Sequence, residues 1–209
     1  MNNPERVNIS VDGRFLLGAG ALLVLQLGLK VGQELSEAQL EQLHADEARQ
    51  QAVDRALNYL SFRPRSRQEV RQYLRRKETT PEIIEAVIAR LEALNLINDE
   101  QFASFWVESR ERFNPRGARA LRHELRAKGV ERDVADAAVD AEQDDERALR
   151  AGRKKAQLLA RQPGMDYNTF RTRLGPFLQR RGFGYEVTTR ATRALWQELG
   201  EGEADEEDV

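Results

Sequence analysis

Three stretches of the sequence decide the fold: VRQYLRRKE at 70–78, LRHELRAKG at 121–129 and LGPFLQRRG at 174–182. Each begins with an apolar residue, has a leucine four positions later, and then runs through basic residues. These later leucines are 51 and 53 positions apart. A period of this length indicates an internal structural repeat rather than one large domain.

Further apolar residues recur nine and thirteen positions after those leucines. They are Ile83, Val134 and Val187, followed by Val87, Ala138 and Ala191. These offsets place the apolar side chains on one face of each of two consecutive helices joined by a tight turn. With the helix that precedes them, each unit becomes a three-helix repeat. Because a repeat of about fifty residues has a small core, neighbouring repeats are expected to pack in series as an elongated, curved rod.

Capping signals place the starts of several helices. Ser36 with Gln39, and Ser66 with Glu69, fit the capping box, in which each side chain satisfies the other residue's amide. Pro81 fits the first position of a helix. Helices are predicted over 47–60, 67–77, 81–94, 100–112, 118–128, 131–142, 144–161, 167–181 and 185–198.

The N-terminal segment has a different pattern. Apolar and polar residues alternate through 7–12, and Asp12-Gly13 then precedes a second apolar run. This pattern predicts a β-hairpin with a type I′ turn. The apolar run at 16–29 is too short to span a bilayer, and no basic region precedes it as in a signal peptide.

The predicted fold is therefore mainly α, with tandem three-helix repeats after a short N-terminal β-hairpin. The predicted domains are a hairpin and helical segment at 1–45, repeats at 46–97, 98–143 and 144–199, and a disordered acidic tail at 200–209.

Charge is distributed unevenly along the chain. The net charge of -2 is the sum of -3 over 1–60, +8 over 61–197 and -7 over 198–209. A basic middle region indicates an anionic partner, and its preference for arginine over lysine suits bidentate contacts to carboxylate or phosphate. The residues predicted to make these contacts are Arg65, Arg67, Arg71, Arg75, Lys77, Arg119, Arg122, Arg126, Lys128, Arg180 and Arg181.

A structural role for these arginines is the alternative. Arginine is a good helix former, and a cation at the C-terminal end of a helix complements the helix dipole. One cation is enough for one helix end, however, and each repeat has several. The surplus favours a binding role.

The sequence contains no pattern typical of an enzyme. Cysteine is absent, and the histidines His44 and His123 lie far apart in charged stretches. No nucleophile elbow, phosphate loop or zinc-protease motif occurs. We therefore predict a protein without catalytic residues, metal site or cofactor.

Several ordered motifs resemble the RecX family, regulators of the RecA recombinase. They are ALNYLSFRPRSRQEV with LRRKE, LNLINDEQFASFWVESR, GARALRHELRAKGV and LQRRGFGYE. The resemblance covers residues 55–199. Glu78 departs from the family pattern, in which glycine usually follows the lysine, and this puts the tightness of that turn in doubt.

The resemblance implies a monomeric cytoplasmic protein that lodges in the groove of the filament that RecA forms on single-stranded DNA. It implies inhibition of ATP hydrolysis, strand exchange and co-protease activity, and so a part in DNA repair, homologous recombination and the SOS response. It also implies weak binding to single-stranded DNA, with double-stranded DNA left open. The alternative is a sequence-tolerant DNA-binding protein or transcription regulator that acts without RecA.

Overall fold

The computed structural model describes residues 6–206, and for 201–206 it describes the backbone alone. Two strands, β1 (Arg6–Val11) and β2 (Arg14–Gly20), precede the helices. The helices are α1 (Ala21–Gln26), α2 (Glu37–Leu60), α3 (Arg67–Arg76), α4 (Pro81–Ala93), α5 (Asp99–Phe113), α6 (Ala118–Ala127), α7 (Arg132–Ala138), α8 (Asp144–Ala160), α9 (Tyr167–Arg180) and α10 (Tyr185–Glu206). One compact unit ends at Ile97 and a second begins at Asn98.

The two strands form the predicted hairpin. They pair antiparallel, with Val11 opposite Arg14 across the turn. Asp12 and Gly13 have φ values of 51° and 76°, as a type I′ turn requires. The register shifts between Ile9 and Ser10, where a bulge interrupts the ladder.

A buried carboxylate ties this hairpin to α2. Glu47 accepts hydrogen bonds from the Arg6 guanidinium (2.5 Å) and from the Gly20 backbone N–H (3.1 Å). Gln51 donates a third, at 2.8 Å. Since only 6% of the Glu47 side chain is exposed, these donors compensate its loss of water.

Helix α2 begins ten residues before the predicted start, at Glu37 rather than at 47. The predicted domain boundary at 45/46 therefore falls inside this helix. Residues 37–46 lack an apolar stripe, and of them only Leu43 is buried, so periodicity gave no signal there. The capping box of Ser36 and Gln39 marked the true start and is present in the structure.

Each of the three repeats has its own core. Helices α2–α4, α5–α7 and α8–α10 surround these cores. The apolar pairs from the repeated motif are fully buried in them: Val70 and Leu74, Leu121 and Leu125, and Leu174 and Leu178. The predicted three-helix repeats are thus confirmed, whereas the rod remains a prediction. Of the helices within 6–206, none is long and apolar enough to cross a membrane.

The turn after the second helix has the same geometry in every repeat. Glu78, Gly129 and Gly182 occupy equivalent positions with φ values of 58°, 81° and 89°. The next residue donates its N–H to the carbonyl of the repeat's central leucine: Thr79 to Leu74 (3.2 Å), Val130 to Leu125 (3.1 Å) and Phe183 to Leu178 (3.4 Å). The turn at Glu78 is therefore as tight as the other two. It differs from them in that a glutamate, and not a glycine, must adopt the left-handed backbone conformation.

We expect Glu78→Gly to raise the free energy of unfolding by about 1 kcal/mol, because glycine enters this conformation without a Cβ clash. The Glu78 side chain is exposed, so little else is lost. Urea unfolding followed by circular dichroism measures the change. Gly129→Ala is the matched control and should lower stability by a similar amount. A decrease in stability for Glu78→Gly would mean that this turn is not strained.

The second and third repeats join through their backbones. The Gly117 N–H donates to the Arg181 carbonyl at 3.0 Å. A Cβ on Gly117 would lie 2.4 Å from the Gly182 carbonyl oxygen, and one on Gly182 would lie 2.3 Å from the Cβ of Ala120. Only glycine fits at this contact. It explains why 98–143 and 144–199, which we predicted as separate domains, lie in one compact unit.

A buried arginine strengthens the same junction. The Arg147 side chain is 1% exposed and binds Glu111 on α5, with a 2.8 Å hydrogen bond from Nε. Asp144 lies beside it and accepts the Ala118 N–H at the start of α6. Burial raises the pKa of the Asp144 carboxyl, and the hydrogen bonds from Ala118 and Arg147 oppose that rise. These charges compensate one another inside the unit.

The C-terminal helix is longer than predicted. We expected disorder from residue 200, whereas α10 continues as helical backbone to Glu206. Glutamate and alanine are good helix formers, and extending an existing helix is cheaper than starting one. Residues 207–209 of the predicted acidic tail lie outside the described residues.

Candidate functional site

Nine of the eleven predicted contact residues fall into three structural classes. The first lies three positions before the central leucine of a repeat, at Arg71 in α3 and Arg122 in α6. Arg71 makes a bidentate contact with Glu85 of α4, at 2.7 and 2.8 Å. Arg122 lies 3.1 Å from Asp136 of α7. Each pair clamps the second helix of its repeat to the third.

These clamps have further contacts. The hydrogen bond from Arg71 lowers the pKa of the Glu85 carboxyl. Arg122 also donates to the Val139 carbonyl at 3.0 Å. The equivalent position in the third repeat is Gly175, which has no side chain to form such a pair. The clamp is thus a feature of the first two repeats.

The second class lies three positions after the central leucine, where each cation packs over an aromatic ring. The distances from charged group to ring centroid are 5.9 Å for Lys77 over Tyr73, 4.1 Å for Lys128 over Trp106 and 4.6 Å for Arg181 over Phe177. Burial lowers the pKa of Arg181, and the nearby charge of Arg116 adds to this effect. These cations stabilise the end of the helix and each packs over one ring, which lies on the same helix for Tyr73 and Phe177 and on α5 for Trp106.

Two more predicted contacts are held within the first repeat. The Arg65 guanidinium lies 4.0 Å from the Tyr59 ring centroid and donates to the Tyr59 carbonyl at 3.3 Å. Arg67 pairs with Glu92 of α4 at 2.5 Å. Both therefore have structural partners that the sequence did not reveal.

The third class, which we call the free arginines, points into solvent. Within residues 6–200, their guanidinium groups make no hydrogen bond or ion pair. The members are Arg75, Arg76, Arg119, Arg126 and Arg180. Except for Arg119 near the start of α6, they lie in the last turn of α3, α6 or α9. Arg76 was not among the predicted contacts.

The free arginines are suited to anion binding. A guanidinium has five N–H donors in a planar fork that matches a phosphate or carboxylate. Because none of the protein groups that the structure describes uses these donors, they can bind a partner without breaking an internal contact. Every repeat contributes at least one such group. The arrangement offers several separate contacts to a ligand with repeating negative charge.

The histidines and the aromatic pair of α5 occupy positions typical of surface and core side chains, respectively. His44 and His123 are both exposed. Among residues 6–200, no group of histidine and acidic side chains is arranged to hold a metal ion. Phe102 is buried and packs 6.0 Å from Trp106, centroid to centroid, so these rings belong to the core of the second repeat.

Comparisons with known proteins identify similar sequences. The family model described as RecX, first three-helix domain, matches residues 52–91, and that for RecX, second three-helix domain, matches 98–139. Regulatory protein RecX of Bacillus subtilis is 31% identical over 189 residues, which cover 90% of this chain and 72% of that protein. The same protein of Bacillus pumilus is 31% identical over 208 residues, covering 100% of this chain and 78% of that protein.

Solved structures are similar in fold. A crystal structure of regulatory protein RecX has a TM-score of 0.70 at 24% identity, and the match covers 92% of this chain and 95% of that one. The crystal structure of RecX from Lactobacillus salivarius has a TM-score of 0.63 at 26% identity, with 72% and 97% covered.

Proposed function

Because this chain belongs to the RecX family of regulatory proteins, we propose that it is a negative regulator of the RecA recombinase. Its proposed target is the filament that RecA forms on single-stranded DNA. The protein binds in the groove of that filament and inhibits ATP hydrolysis, strand exchange and co-protease activity. It acts by binding and not by catalysis, as a monomer in the cytoplasm.

The free arginines carry this proposal. A nucleoprotein filament presents phosphate and acidic groups at regular intervals. Each repeat presents a guanidinium group, one or two positions after its central leucine, that has no partner among residues 6–200. Several weak contacts on one chain give avidity, so binding is strong only where all of them find partners. This favours an assembled filament over free RecA or isolated DNA.

The set of proposed contact residues is therefore smaller than the predicted set. Arg75, Arg119, Arg126 and Arg180, together with Arg76, meet the partner. Arg71 and Arg122 position the helices that carry them, through the clamps to Glu85 and Asp136. The aromatic-packed cations and Arg67 play the same supporting role.

We expect substoichiometric amounts of this protein to lower the rate of ATP hydrolysis by RecA on single-stranded DNA. One bound molecule blocks several RecA subunits along a groove. The fractional loss of ATP hydrolysis therefore exceeds the molar ratio of this protein to RecA. Added salt should weaken inhibition steeply, because each phosphate contact releases counterions. A coupled ATPase assay, titrated with the protein at fixed RecA and DNA, measures both effects.

The alternative function gives a different titration. A DNA-binding protein that acts without RecA would inhibit hydrolysis only at concentrations that coat the DNA. Repeating the titration with excess DNA at constant RecA filament concentration separates the two. Inhibition that follows the ratio of protein to DNA, and not to RecA, would contradict the proposal.

A further inference from the structure

A groove lies between α8 and α9 in the third repeat. It encloses about 460 Å³, within the range of small-molecule and nucleotide pockets. One side comes from α8 and the other from one face of α9, at positions spaced by three and four. The lining residues are Lys155, Leu159, Gln162, Thr172, Arg173, Pro176, Phe177 and Arg180.

Two chemical features meet in this groove. Its apolar floor consists of Leu159, Pro176 and Phe177, and its groove cations are Lys155, Arg173 and Arg180. Of the lining residues that the structure describes, none is acidic. Arg173 hydrogen-bonds Gln162, an uncharged partner that leaves its charge uncompensated. The groove therefore fits a ligand that carries negative charge beside an apolar surface.

Pro176 adds a polar feature. Proline has no N–H, so the carbonyl of Thr172, four residues earlier in α9, lacks its usual helical donor. Thr172 and Gln162 both line the groove, and between them they offer acceptors and donors next to the apolar floor. Such groups suit the edge of a nucleic-acid base.

From these features we infer that the groove is a subsite for single-stranded DNA. A base packs on the apolar floor while the flanking phosphates bind the groove cations. An acidic protein segment would use the cations but would gain little from the apolar floor. The inference deepens the proposed function, since it assigns the DNA of the filament to the third repeat.

Direct binding of a short labelled thymidine strand to the full chain, without RecA, tests the subsite. We expect Lys155→Glu with Arg173→Glu to weaken binding at low salt by at least about tenfold, because two attractions become repulsions. Arg150→Glu with Lys154→Glu is the matched control: both are exposed cations of α8 that do not line the groove. Fluorescence anisotropy gives the affinities. Equal losses in the two variants would overturn the subsite.

The nature of the ligand is tested with three competitors. A strand of the same length without bases should bind at least about fivefold more weakly, because base stacking is lost. Inorganic phosphate and polyglutamate should displace the thymidine strand poorly. Displacement by phosphate alone would reassign the groove to a free anion, and displacement by polyglutamate would reassign it to an acidic protein.

Amide NMR spectra locate the bound strand and separate the two proposals. The thymidine strand should shift the amides of Arg173 and Phe177 in the wild-type chain. Unshifted α9 amides would overturn the subsite even if RecA inhibition is intact. Shifted α9 amides in a protein that leaves RecA hydrolysis unchanged would support the subsite and contradict the regulatory proposal.

Discussion

Replacing Arg75, Arg126 and Arg180 together by glutamate is expected to weaken inhibition of RecA ATP hydrolysis by about 100-fold. Each site exchanges an attraction of about 0.5 kcal/mol for a repulsion of similar size. Because the contacts lie on one chain, these losses multiply in the binding constant. The half-inhibitory concentration in the ATPase assay measures the effect.

The control carries the same change of charge at other places. Arg90, Arg150 and Arg193 are exposed, lie on the third or first helix of the repeats, and form no ion pair among residues 6–200. Their replacement by glutamate should change inhibition by much less. If both triple variants lose inhibition equally, net charge and not the free arginines governs binding. Reversal at Arg71 or Arg122 is unsuitable, because it would break a clamp.

Gly117→Ala is expected to lower the free energy of unfolding of the second unit by about 3 kcal/mol. Gly117 has φ −70° and ψ 155°, which any residue adopts, so the backbone is not the cause. The added Cβ would lie 2.4 Å from the Gly182 oxygen, and main chain on both sides prevents relaxation. Trp106 and Trp196 both belong to this unit, so tryptophan fluorescence during urea unfolding reports on it.

Gly184→Ala provides the matched control. Gly184 precedes α10 as Gly117 precedes α6, and its carbonyl accepts the Thr188 N–H at 2.9 Å. A Cβ there meets nothing within 4 Å. The loss of a glycine before a helix then costs at most about 1 kcal/mol. Equal destabilisation by the two substitutions would show that helix capping, and not contact between the repeats, sets the cost.

The repeat structure could be predicted because one physical requirement recurs in the sequence. Leu74, Leu125 and Leu178 need an apolar neighbour one turn earlier and a partner helix at a fixed distance, and all these positions are visible as spacing. The start of α2 was missed because its first turns are polar. Packing between neighbouring repeats was expected, but the residues that form it were not identified, because Gly117 and Gly182 matter through main-chain contact, which leaves no periodic pattern.

The candidate site was predictable only as a set of charges. Sequence places Arg71 and Arg75 on the same helix face one turn apart, so nothing local distinguishes them. The structure distinguishes them, because Glu85 pairs with Arg71 and leaves Arg75 exposed. For the same reason, the cations that pack over Tyr73, Trp106 and Phe177 could not be distinguished from the free arginines. An ion pair across fourteen positions depends on how two helices pack, and composition does not encode it.

The glycine contact between the second and third repeats determines where the chain can be truncated. A fragment that begins at Asn98 keeps Gly117 against Gly182, and keeps Glu111 beside Arg147. A fragment that begins at Asp144 would retain Arg147 without that carboxylate and would expose the Gly182 turn to water. Expression of the third repeat alone should therefore yield an insoluble or partly unfolded product, whereas 98–209 should remain folded.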